Sequence, residues 1–224
     1  MKQYKTGDEK MLNMASWVLR EPFVYNFFDK LDKDIKILDV GCGSGYFLKK
    51  LKEMGFKDLR GADLKNFLKD KNEFEHSAVD LNLEQLPYED NSLDVVTAFQ
   101  TIEHLENYFL IMREVHRVLK PGGIFIFSIP NPYNIFYRIK FALTGNMTGF
   151  DPINDHLLFV SRDVFNKTYR RNFDIVEKYY GRGPIPMLGR LNFIPGVKFP
   201  AKVKVLPRCE LFAYKTCYIS KVKK

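Results

Sequence analysis

The feature that most limits how this chain can fold is the run Asp39-Val40-Gly41-Cys42-Gly43-Ser44-Gly45, set between an apolar stretch and an amphipathic one. Ile35 to Val40 reads as a short buried strand. Tyr46 to Met54 places Phe47, Leu48, Leu51 and Met54 on one helical face, with Gly55 as the stop. Glycines at such a turn let the chain reverse sharply and bring backbone N–H groups close to a ligand at the edge of a sheet. A nucleotide-type ligand is expected there.

The same alternation continues. Strands are predicted at Asp58 to Ala62, Glu75 to Val79, Leu93 to Phe99 and Gly123 to Ile129. A helix is predicted over Glu106 to Lys120, ended by Pro121-Gly122-Gly123, and another over Arg162 to Arg171 with Ser161 as its N-cap. Phe173 to Tyr180 and Leu211 to Ser220 read as the last strands. This is the order of βαβ crossovers, so the chain is expected to be an α/β protein with a doubly wound, mostly parallel sheet.

A dinucleotide loop would need GxGxxG, and its third glycine would fall on Tyr46. The loop is GxGxG instead, with Asp39 at the strand end. An acid there gains little from a pyrophosphate and suits a ligand bearing positive charge.

The 224 residues fit one domain with a full core. The net charge of +8 is concentrated, because residues 181 to 224 hold ten Lys or Arg against the single acid Glu210. Cys42, Cys209 and Cys217 lack CxxC spacing, which suggests neither a disulfide framework nor a zinc site. With no signal-peptide pattern and no long apolar run, a cytoplasmic protein is expected.

ILDVGCGSGYFLKKL resembles the first motif of class I S-adenosylmethionine-dependent methyltransferases. GADL at Gly61 to Leu64, VDLNLEQLPYEDNSLDVVTAFQTIEHL and REVHRVLKPGGIFIFSIPN resemble the later motifs of that family in order and spacing, over residues 35 to 131. The resemblance implies a Rossmann-like seven-stranded sheet whose last strand is antiparallel, and S-adenosyl-L-methionine as cofactor. It places Gly41, Cys42, Gly43 and Gly45 along the methionine and ribose part, with Asp39 near the amino-acid end. Asp63 would take the ribose hydroxyls, Leu64 would pack on the adenine, Asp80 and Leu81 would meet its edge, and Gln100 would lie beside the methionine. Each residue also has a plainer use: Asp63 as a turn cap, Asp80 in an Asp-Leu-Asn turn, the glycines in a tight turn alone.

If the acceptor is a hydroxyl, a histidine is the natural base. His104, just after the fourth strand, and His156, in the segment expected to cover that edge, are the candidates; His104 could equally anchor the following helix. His76 and His116 read as structural, and no metal is assigned. One domain over 1–224 is expected, with 1–34 as a helical cover, 35–130 as the cofactor-binding core, and 131–160 and 181–208 covering the substrate. Asn131 to Phe150 mixes aromatic and apolar residues with Arg138 and Lys140. With the basic C-terminal region, that segment suggests peripheral membrane contact and a small-molecule, glycan or lipid-linked acceptor, methylated on oxygen. The competing use of the same segment is a lid helix. RNA or protein as acceptor, and a non-catalytic cofactor-binding role, stay open as alternatives. Nucleic acid is not favoured, since the residues after the fourth strand are Gln100-Thr101-Ile102-Glu103, and oligomeric state is not encoded legibly.

Overall fold

A computed structural model describes residues 21–68, 73–148, 155–181 and 208–224. The elements, in chain order, are α1 (Pro22–Phe28), β1 (Lys36–Val40), α2 (Tyr46–Glu53), β2 (Asp58–Asp63), β3 (Glu75–Ala78), β4 (Leu93–Phe99), a 3-10 turn (Ile102–His104) and α3 (Tyr108–Val118). They continue with β5 (Leu119–Pro130), α4 (Ile135–Thr144), α5 (Arg162–Asn172), β6 (Phe173–Tyr180) and β7 (Lys215–Val222).

The seven strands form one sheet in the order β3-β2-β1-β4-β5-β7-β6. β1 to β5 are parallel, and β7 runs antiparallel to both β5 and β6. The expected doubly wound sheet with an antiparallel last strand is therefore present. The strand order reverses beside β1, which puts the glycine turn at the switch point where α/β sheets open a crevice.

Both faces are covered, and the period-two alternation of the strands sorts the core into two layers. Leu38, Val40, Val96, Ala98, Phe125 and Phe127 point to the layer closed by α3 and α5. Ile37, Val95, Phe99, Ile126 and Ile219 point to the layer closed by α1 and α2. The helix starts are set by local chemistry: Asn107 accepts from Leu110 N at 3.1 Å and Ser161 from Val164 N at 3.3 Å. Of the segment expected to form an N-terminal helical cover, 1–34, the described part holds α1; residues 1–20 lie outside the described part, as does most of the 181–208 segment.

Two boundaries differ from expectation. The helix predicted over Glu106 to Lys120 spans only Tyr108–Val118, and Pro121-Gly122-Gly123 lies inside β5 instead of ending a helix. Leu119 already pairs with Leu93, and the ladder then skips to Val95 against Ile124. The irregularity is local, with Gly122 at φ 74° and a Cβ on Gly123 falling 2.9 Å from Lys120 O. The last strand starts at Lys215, not Leu211, because Phe212 N and Ala213 N both donate to Cys209 O and close a turn.

Candidate active site

The glycine turn is built from backbone. Gly41, Gly43 and Gly45 have φ of 71°, 51° and 75°, a region where side chains are strained. Gly41 N donates to Ala62 O at 2.7 Å, and Gly43 N donates to Asp63 Oδ2 at 2.9 Å, so the turn is tied to the end of β2. From the other side, Thr101 Oγ1 donates to Val40 O at 3.1 Å. A Cβ on Gly41 would sit 2.3 Å from that same Thr101 oxygen, and one on Gly45 would sit 2.5 Å from Leu68 Cδ2. The turn therefore has no room for a side chain at Gly41 or at Gly45.

The two acids beside the turn differ. Asp39 is buried and accepts from Thr97 Oγ1 at 2.6 Å; burial pushes its carboxyl up to about 7. Its immediate task is to join β1 to β4. Asp63 sits at the strand end, where burial raises its carboxyl while the N–H groups of Gly43 and Leu64 pull the other way. Leu64 next to it is 54% exposed, an apolar plate at the end of β2. Cys42 is buried under the turn, packed so closely on Gly61 that a Cβ there would lie 2.7 Å from its sulfur. Asp80 makes an Asp-Leu-Asn turn, its Oδ1 accepting from Asn82 N at 2.9 Å, and Leu81 belongs to the core.

A second cluster forms past β4. Gln100 holds a left-handed φ of 56°, unusual for a residue with a side chain, and is fixed there by donation from its N–H to Ser128 Oγ at 3.1 Å. Its Nε2 donates to Glu103 Oε1 at 2.8 Å. Glu103 is 1% exposed, and burial pushes its carboxyl up to about 7; Lys215, itself pushed down by burial, is the opposing charge that faces it.

The backbone carbonyl of Glu103 accepts from Leu157 N at 2.8 Å and Leu158 N at 3.2 Å, which draws the 155–160 segment across the 3-10 turn. That docking brings His156 to His104, ring centroids 4.9 Å apart. His104 Nδ1 lies 3.0 Å from Asp155 O. A carbonyl only accepts, so Nδ1 carries the proton and Nε2 keeps its lone pair. Burial pushes the His104 pKa down, which keeps the ring neutral at neutral pH. Glu103, His104 and His156 offer ligand atoms all within 4.8 Å of one another, a spacing able to hold a cation. Elsewhere, His76 lies in β3, and His116 Nε2 meets Lys223 O at 2.9 Å, an arrangement that ties α3 to the chain end.

The structure thus gathers Asp39, Gly41, Cys42, Gly43, Gly45, Asp63 and Leu64 around one turn, and Gln100, His104 and His156 around another. Sequence reasoning missed Thr101, Glu103, Ser128 and Lys215 as parts of these sites. Glu103 adjoins His104, but nothing in the sequence marks it as buried; Ser128 and Lys215 come from β5 and β7 and carry no linear signal. Among the described residues, no helix is long and apolar enough to cross a membrane.

Comparison with known proteins finds methyltransferases both by sequence and by fold. The family model described as a methyltransferase domain matches residues 38–127. A probable S-adenosylmethionine-dependent methyltransferase of Mycolicibacterium smegmatis is 33% identical over 155 residues, covering 66% of this chain and 57% of that protein. A ubiquinone/menaquinone biosynthesis C-methyltransferase of Rickettsia bellii is 32% identical over 160 residues, covering 58% and 64%. The chain spans about half the length of the curated relatives it matches first. In fold, a crystal structure of a SAM dependent methyltransferase from Archaeoglobus fulgidus superposes with a TM-score of 0.64 at 20% identity, over 96% of this chain and all of that one.

Proposed function

We propose that this chain, which belongs to the class I S-adenosylmethionine-dependent methyltransferases, transfers a methyl group to an oxygen of a small-molecule, glycan or lipid-linked acceptor. S-adenosylmethionine is the family's cofactor and supplies, when bound, an electrophilic methyl on a positively charged sulfur. The residues present fit it. The glycines at 41, 43 and 45 leave backbone at the ligand, Asp63 offers a carboxylate to a ribose, Leu64 is an exposed apolar plate, and no cation among the turn residues invites a pyrophosphate.

The observation that carries the reading is the fixed tautomer of His104. Its Nδ1–H is spent on Asp155 O at 3.0 Å, so Nε2 is the atom able to take a proton from an acceptor hydroxyl. His156, packed against it, is the second candidate base. Gln100 and Glu103 hold the turn that carries His104, and much of the remaining acceleration comes from holding acceptor and methyl in line.

The test is transfer of labelled methyl from S-adenosylmethionine into fractionated lipid, glycan, RNA and protein extracts, followed by His104→Ala. Loss of about 10²–10⁴ in turnover with unchanged cofactor affinity supports the assignment. In the wild type, kcat/KM should rise with pH through an apparent pKa below 6.5, because burial lowers the His104 value. Full turnover by the alanine variant removes His104 as base; no binding of the cofactor in calorimetry removes the whole reading. A label found on carbon would align the chain with the C-methyltransferase relative instead.

A lipid-linked acceptor is favoured by α4, where Ile139 and Leu143 stand one turn apart, 50% and 79% exposed, beside the exposed Lys140. Flotation with anionic liposomes that Leu143→Asp abolishes would support peripheral contact. Equal recovery of variant and wild type would count against it.

A further inference from the structure

On the same edge of the sheet as the histidines, but beyond β5, lies an open groove of about 320 Å³ that no step above uses. One wall is a helical stripe: Arg162, Asn166 and Arg170 recur every four residues along α5 and so share a face. The opposite wall is the α5 side of the outer strands, where Lys178 and Tyr180 alternate in register on β6. Tyr218 of β7 lines the groove and lies beneath Lys178, whose ammonium is 5.7 Å from the ring centre.

The charge in this groove is unbalanced. Among the described residues that line it, three cations face one carboxylate, Glu210, and that carboxylate is taken by Arg162 at 2.7 Å. Arg162 is further held over the Tyr133 ring at 4.7 Å. Among the described residues, Arg170 and Lys178 have no ion-pair partner, although they stand on opposite walls of one groove. A narrow gap lined by Ile129, Pro130, Pro132 and Val160, which also line the groove, continues from it to Glu103, the neighbour of His104.

We infer that this groove is an anion subsite that holds a phosphate group of the acceptor through Arg170 and Lys178, with Asn166 as an additional donor. Several donors converging from two walls match a tetrahedral oxyanion better than a planar carboxylate. The inference rests on the methyltransferase reading for the word acceptor, and on the groove alone for the binding of phosphate. The group can belong to a soluble phosphate ester or to the headgroup of a lipid-linked acceptor.

The experiment titrates the full chain with inorganic pyrophosphate in calorimetry, and sediments it with vesicles of phosphatidylglycerol and phosphatidylcholine. It compares the wild type with Arg170→Ala, Lys178→Ala and Lys221→Ala. Lys221 is an exposed cation on β7, three residues from Tyr218 and therefore on the opposite face of the sheet. It removes the same charge from outside the groove. All three side chains are exposed, so folding is expected to survive, and the affinity for S-adenosylmethionine, measured in parallel, reports separately on the glycine turn. Roughly ten-fold weaker pyrophosphate binding in each groove variant, with Lys221→Ala near wild type, establishes the subsite for a soluble ester. The same pattern on vesicles alone assigns it to a headgroup. No binding of either probe, or equal losses in Lys221→Ala, overturns it whether or not the cofactor binds.

Discussion

The two ends of the crevice are made by different means. Between β1 and β2 the site is backbone, with three glycines at positive φ, a carboxylate from the next strand and no side chain in the way. Past β4 the site is side chain, with Glu103, His104, His156 and Lys215 gathered from three parts of the chain around a strained Gln100. The difference teaches that a general ligand-binding surface can be written into seven consecutive residues, whereas a particular reacting group has to be assembled.

The sharpest way to break this contrast is Gly41→Ala. The turn should lose about 2–5 kcal/mol, from left-handed strain plus a Cβ placed 2.3 Å from Thr101 Oγ1. Adding Thr101→Ala should return part of that loss in urea titrations; strictly additive costs would show that the turn is not limited by space.

Next in size is Asp39→Asn, which probes the buried join between β1 and β4. The folded state raises the Asp39 carboxyl from its ordinary value of 3.8 to about 7, so its contribution is complete below pH 4 and is lost as pH rises toward 7. Asparagine can still accept from Thr97 and has no charge to bury. The variant should therefore shed roughly 2–4 kcal/mol less stability than wild type between pH 4 and 7.5, read from urea midpoints. Identical slopes would mean that Asp39 is solvated in solution.

Asp63→Ala separates binding from chemistry. It should weaken S-adenosylmethionine roughly a hundred-fold in calorimetry while turnover at saturating cofactor changes little, the reverse of His104→Ala. Matching effects of the two variants would erase the division between the two clusters. The smallest expected change is Gly145→Ala. Its φ is 69° but nothing among the described residues lies within 4 Å of the added Cβ, so strain of about 1 kcal/mol is expected. A cost as large as that of Gly41→Ala would show that backbone strain alone governs both.

The fold was largely legible because its signals are local. The period-two strands, the helix faces and the Ser161 cap read correctly, since each depends on neighbours within a few residues. The errors fell where partners are distant. Pro121-Gly122-Gly123 signals a helix end by composition, yet pairing of Leu119 with Leu93 makes it an irregular piece of strand. Leu211 to Tyr214 looks like strand, yet Asn131 reaches the carbonyls of Glu210 and Ala213 and helps hold it as a turn.

By itself the sequence determined the sheet, the glycine turn and the acid at the end of β2, because hydrophobic period and the freedom of glycine at positive φ are properties of a short run of chain. Only the tertiary structure decided that Asp39 is buried against Thr97, that Glu103 is enclosed beside Lys215, and that His156 reaches His104. Burial and charge pairing depend on what other segments place alongside, and residues more than fifty positions apart meet only when the sheet has closed.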